Sequence, residues 1–71
     1  MSEFVVCLSN EGFEAALEIR KIYRQLPDAW AEGEGLIRVV DESGEDYLYP
    51  DVIFDQVALS GRAAEVFAEA S

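Results

Sequence analysis

The sequence predicts a single, mainly β domain with a short helix near its C-terminal end, and three stretches carry that expectation. Phe4 to Leu8 (FVVCL) is a continuous apolar run rich in β-branched residues and stopped by Ser9, Asn10 and Gly12, the pattern of a buried strand that ends in a turn. Leu36 to Asp41 (LIRVVD) and Asp46 to Pro50 (DYLYP) flank ESGE, where Ser43 and Gly44 supply the turn chemistry of a β-hairpin. Ala63, Val66, Phe67 and Ala70 recur at helical spacing, with Ser60 available as N-cap and Gly61 just inside, which predicts a helix over about 61–70. A helix this short is marginal alone, so it must dock on the body of the domain or on another chain.

The segments between are read in order. Glu11 to Ala16 (EGFEAA) is expected to be a loop. Leu17 to Asp28 (LEIRKIYRQLPD) admits two readings: Ile19, Ile22, Tyr23 and Leu26 fit a helix, whereas Leu17 with Ile19, then Ile22, Arg24 and Leu26, fit a strand period with a break. The local pattern slightly favours the helix. Pro27 ends either element, and PDAWAEGEG (Pro27 to Gly35) has the punctuation of a surface loop. If the hairpin is symmetric about Ser43 and Gly44, Val40 faces Tyr47, Val39 faces Leu48 and Arg38 faces Tyr49. Arg38, Val40, Tyr47 and Tyr49 then share one face, with Val39 and Leu48 on the other. After Pro50, DVIFDQVAL alternates again, with Val52, Phe54 and Val57 expected inside.

Composition narrows the function. Seventy-one residues make one domain, which buries only roughly 60% of the surface its unfolded chain exposes and leaves no room for a deep cleft. A hydrophobic fraction of 51% argues against disorder. Fifteen acidic against five basic residues give a net charge of −10, which repels phosphate backbones and anionic lipid and so argues against direct nucleic-acid or membrane binding. The ordinary role of that charge is solubility; the sharper one is a surface that meets a basic partner. Cys7 is the single cysteine, so no internal disulfide forms, and with no targeting segment in the first ten residues the cytoplasm is the expected compartment. Its place in an apolar run predicts a buried, inert thiol.

Three stretches together, VVCLSNEG, KIYRQLPD and LIRVVDESGEDYLYPDVIF, resemble a group of small bacterial and phage proteins with an SH3-like β-barrel. In that group a strand ending in Cys and Asn precedes a Lys-x-Tyr strand and a Val-x-Asp-x-x-Gly-x-x-Tyr-x-Tyr-Pro hairpin. The resemblance covers Val5 to about Phe54; its specific parts are Lys21 with Tyr23 and the hairpin from Val39 to Pro50. It implies a barrel of about five strands over residues 3–59, with Ile22 to Leu26 a strand, and it implies no activity. One departure matters: Arg20 stands where a glycine commonly precedes the Lys-x-Tyr strand, which keeps open an α+β alternative with a helix around 14–24.

The chemistry is mostly defined by absences. Without histidine and with one cysteine, the sequence has no Cys/His zinc set, no His-assisted nucleophile and no His general base. Gly33 to Gly35 (GEG) lacks phosphate-loop spacing, so no cofactor is expected. DESGED (Asp41 to Asp46) departs from a calcium-loop pattern and reads as a solvated turn. No catalytic residues are assigned, and the expected function is a non-enzymatic protein-binding or adaptor module. Its candidate contact residues are Trp30, Arg38, Tyr47 and Tyr49, because aromatic and arginine side chains favour interfaces; the competing role for the tyrosines is to cover the barrel. Two alternatives stand beside it. One is an acidic decoy that uses Asp41, Glu42, Glu45, Asp46, Asp51 and Asp55 in place of phosphates; the other is a homodimer sealed by Ala63, Val66 and Phe67.

Overall fold

The computed structural model describes residues 4–69. In chain order the elements are β1 (Phe4–Cys7), β2 (Ile22–Leu26), α1 (Ala29–Gly33), β3 (Leu36–Val40), β4 (Asp46–Pro50), a 3-10 turn (Asp51–Ile53), β5 (Phe54–Val57) and α2 (Gly61–Glu69). All five strands form one antiparallel sheet in the order β4, β3, β2, β1, β5. The mainly β fold, the strand number and the C-terminal helix are as the sequence predicts.

Strand alternation turns Val5, Cys7, Tyr23, Ile37, Val39, Tyr49 and Phe54 to one side of the sheet, where they form the core. The opposite wall of that core is the segment between β1 and β2. Leu17 is fully buried, and Phe13 and Ala16 pack beside it. Phe13 sits edge-on to Tyr49 at 5.1 Å between ring centres, and the Asn10 side-chain amide donates to the Leu17 carbonyl at 2.9 Å. Residues 11–20 are turns, so the helix around 14–24 does not form. Ile19 is exposed and Tyr23 buried, on opposite terms from those a shared helical face requires. Ile22 to Leu26 instead pairs with β1 and β3, and satisfying the backbone on both sides outweighs a weak local preference.

Arg20 explains the departure from the glycine pattern. Its φ is +70°, in the left-handed region that glycine fills without steric cost. The turn therefore survives with arginine in the glycine position, and its amide donates to the Cys7 carbonyl at 2.7 Å.

Three further expectations are corrected. Residues 29–33 are a short helix rather than loop, because Asp28 accepts from the Ala31 amide at 3.0 Å as its N-cap. The hairpin pairs Val40 with Asp46, Val39 with Tyr47, Arg38 with Leu48 and Ile37 with Tyr49, centred on Ser43. That is one residue from the expected register, and a one-residue slip carries β4 to the other face relative to β3: Tyr49 joins Ile37 and Val39 inside, and Leu48 joins Arg38 and Val40 outside. Val52 lies on the 3-10 turn at 80% exposure, and Ile53 takes the inward place beside the core.

The outer face of the sheet is partly apolar and α2 lies against it, Phe67 meeting Phe4 edge-on at 6.2 Å. This splits the expected helical stripe. Ala64 and Phe67 are half-buried, while Ala63 and Val66 face solvent; Ala70 lies outside the described residues. The free edge of β5 is also blunted. Leu8 donates to Ile53, so alternation points the amides of Phe54 and Gln56 outward. The first donates to the Asp51 carbonyl and the second to the Asp55 side chain, which leaves little for a further strand to pair with.

Because Arg20 has its side chain exposed while its backbone is left-handed, Arg20→Gly should stabilise the fold. Relief of about 1–2 kcal/mol of strain exceeds the roughly 0.5–1 kcal/mol of added chain entropy. A urea midpoint that rises at constant slope is the expected result; an unchanged or lower midpoint contradicts it.

Candidate functional site

Two polar constellations stand out. At the hairpin tip the neighbouring acids Asp41 and Glu42 turn in different directions. Asp41 is only 7% exposed. Its Oδ1 accepts from the Ser43 amide at 2.9 Å and from the Ser43 hydroxyl at 2.5 Å, and its Oδ2 accepts from the Tyr49 hydroxyl at 2.6 Å. Burial pushes its pKa upward, but those hydrogen bonds together prevail and hold it below the usual 3.8. Burial, then the Asp41 carboxylate, pushes the Tyr49 hydroxyl well above its ordinary range.

Glu42 reaches across to β2. It accepts from Lys21 Nζ at 2.6 Å and from the Tyr23 hydroxyl at 2.5 Å, while its own amide donates to the Ala16 carbonyl at 3.0 Å. The Tyr23 hydroxyl in turn accepts from the Glu18 amide at 2.7 Å. Lys21 also lies 3.8 Å from Glu18 and 5.6 Å from the centre of the Tyr23 ring. Lys21, foremost among these partners, lowers the Glu42 pKa, with Tyr23 next.

Lys21, Tyr23 and Glu42 therefore form one clamp that holds the β1–β2 segment over the core. The reading of DESGED as a solvated turn is corrected at its first residue: Asp41 is interior, because three donors meet its carboxylate there. A hollow of about 200 Å³ lies beside the clamp, with Ile22, Val40 and Phe67 on its apolar side.

The second constellation centres on Arg38. Its Nε and Nη2 bind Asp28 Oδ2, each at 2.9 Å, and its Nη1 binds Asp46 Oδ2 at 2.9 Å. Asp28 is also the N-cap of α1, so one guanidinium fastens the helix that carries Trp30 to the strand that carries Tyr47. Leu26 and Leu48 flank Arg38 in the same cross-strand row, both half-buried. Trp30 projects at 66% exposure.

Of the four contact residues read from the sequence, Arg38 thus lies on the outer face and Trp30 on the helix whose cap it holds. Tyr47 is on the surface at 52% exposure, its hydroxyl donating to Glu45 at 3.2 Å. Tyr49 is a core residue at 4% exposure; it fills the core under the sheet and does not stack on Arg38, which lies on the other face. Asp28 is the member that sequence reasoning missed, and Asp46 enters the sequence reading only as a phosphate mimic. Asp28 had a signal, an acid directly after Pro27 and before a short alanine-rich stretch.

The acids proposed as phosphate mimics are not equivalent either. Asp41 is buried, Glu42 and Asp46 are paired with Lys21 and Arg38, and Glu45, Asp51 and Asp55 stand in the open. Among the described residues no helix is long and apolar enough to cross a membrane. No family model, curated protein or solved structure matches this chain.

The pKa directions predict a pH window. Asp28, Asp41 and Glu42 have folded values below their ordinary 3.8, 3.8 and 4.5. Their stabilisation is complete above those values and is lost as pH falls through the lower folded ones. Tyr23 and Tyr49 are raised above 10.0, so their contribution is complete below 10 and is lost as pH climbs past it. Chemical denaturation across pH should give a plateau between these limits. Asp41→Ala should lower it by about 1–3 kcal/mol and Tyr49→Phe by less, with less than additive losses in the double variant. Additive losses would show that the two groups act apart.

Proposed function

We propose that this chain is a non-enzymatic protein-binding module, with a contact surface centred on Trp30 and bordered by Arg38, Leu26 and Leu48. Tyr47, paired with Val39, projects from the opposite face of the sheet and lies outside that surface. The observation that carries this reading is a tryptophan left two-thirds exposed (66%) on a helix whose cap is locked by Arg38 to a neighbouring strand. A rigidly mounted indole loses little freedom when it enters a partner's pocket, which is why such residues become binding hot spots. The strand order, with β5 returning beside β1, supports an SH3-like barrel as the scaffold, and a lone buried thiol suits the reducing cytoplasm.

The test is capture from bacterial lysate by the tagged chain and by Trp30→Ala, with circular dichroism as the control for folding. A partner held by the parent chain should be lost at least about tenfold in Trp30→Ala, and retained by Val52→Ala, which removes a still more exposed apolar side chain elsewhere. Equal capture by the parent chain and a folded Trp30→Ala would rule out this surface.

A further inference from the structure

A second concavity lies on the other side of α1. Glu32 follows Trp30 by two positions, about 200° round the helix, and borders a groove of about 370 Å³ between α1, the 3-10 turn and β5. Ile37 and Phe54 form its apolar floor. Gln25 and Gln56 lie along one side, joined by a 3.1 Å hydrogen bond in which Gln56 Nε2 donates to Gln25 Oε1. Glu32, Asp51 and Asp55 stand around the rim.

The distribution of cations sets this groove apart. Lys21 is bound to Glu18 and Glu42, and Arg38 to Asp28 and Asp46. Among the described residues none of the chain's Lys or Arg side chains lines the groove, and Glu32, Asp51 and Asp55 enter no ion pair. Its polar groups are mainly acceptors, over a floor that suits an aliphatic stem. The carboxylates border the hollow without converging: among the described residues no three acidic, cysteine or histidine side chains are placed to hold a metal ion. A point charge is poorly gripped by such a spread. A planar fork with five donors and weak hydration spans it well.

We propose that this groove receives an arginine side chain from a basic segment of a protein partner. The stem lies over Ile37 and Phe54, and the guanidinium bridges the carboxylates of Asp51 and Asp55 or Glu32. The partner is a protein because a chain of net charge −10 repels nucleic acid. It engages through the side chain and not by adding a strand, since the outward amides of β5 already have partners within the chain. This site is independent of the Trp30 surface, and either can fail without the other.

The full chain, labelled with ¹⁵N, is titrated with Ac-Gly-Gly-Arg-Gly-Gly-NH₂ and with the same peptide carrying citrulline or lysine in place of arginine. The arginine peptide should give saturable amide shifts confined to residues around Gln25, Glu32, Ile37 and 51–56, and citrulline none. The double variant Glu32→Gln, Asp51→Asn alters side chains that make no hydrogen bond within the described chain, so it should keep the parent spectrum elsewhere. It should weaken binding by about tenfold or more, while Trp30→Ala leaves the titration unchanged. Non-saturating shifts spread over all the acidic residues, equal binding of the lysine or citrulline peptide, or an unaltered affinity in the folded double variant would each overturn the assignment.

Discussion

The fold turns on a carboxylate in its interior. Asp41 sits at the end of β3 with both oxygens engaged, and a charge placed there without those donors would cost several kcal/mol, a large part of the stability of a domain this small. Its bonds to Ser43 shape the tip, so that the hairpin centres on Ser43. Its bond to Tyr49 requires that ring to point inward, where it meets Phe13 and Phe54. Inward placement of Tyr49 in turn brings Ile37 and Val39 to the core face and sends Arg38 outward, where it meets the cap of α1. Register, core and surface chemistry follow from one set of hydrogen bonds.

Glu42 extends that control to the rest of the molecule. The β1–β2 segment has no regular structure beyond turns, yet it supplies Leu17 to the core and closes it. Its position depends on contacts at the hairpin tip, from the Glu42 amide to Ala16 and through Tyr23 to Glu18. An exposed ion pair such as Lys21 with Glu18 adds little by itself. Its neighbours are different, because the Tyr23 hydroxyl is bonded at once to the Glu42 carboxylate and to the Glu18 amide, and bonds made in a network reinforce one another.

The surface divides according to how its charge is compensated. At the clamp and at the cap of α1, acids are matched by Lys21 and Arg38, and what remains prominent is apolar: Trp30 on the helix, with Leu26 and Leu48 beside Arg38. At the groove beside β5 the acids have no such match, and the same excess of negative charge becomes a local recognition feature. The two regions favour different physics in a partner. A buried aromatic anchor governs how slowly a complex dissociates, whereas exposed carboxylates act mainly on encounter and on choice of partner.

Much of the scaffold was legible in the residues. FVVCL, the paired runs around ESGE and the spacing from Ala63 to Phe67 identified β1, the hairpin and α2, because each signal is a local periodicity that one element satisfies. The site was legible only in part. Trp30 and Arg38 were found by residue type, but the role of Tyr49 could not be, since an aromatic ring on a strand reads alike whether it faces a partner or the core. Contacts distant in the chain made that decision. Ile22, Tyr23 and Leu26 were drawn out of a helical pattern by pairing with β1 and β3. Asp41 moved the hairpin by one residue, and with it Tyr47, Leu48 and Tyr49 changed face relative to β3. Composition and periodicity by themselves determined that this chain is a small acidic β domain. Which of its aromatic and acidic groups are left free was decided by tertiary structure, because burial and hydrogen-bond partners come from residues that are neighbours only after folding.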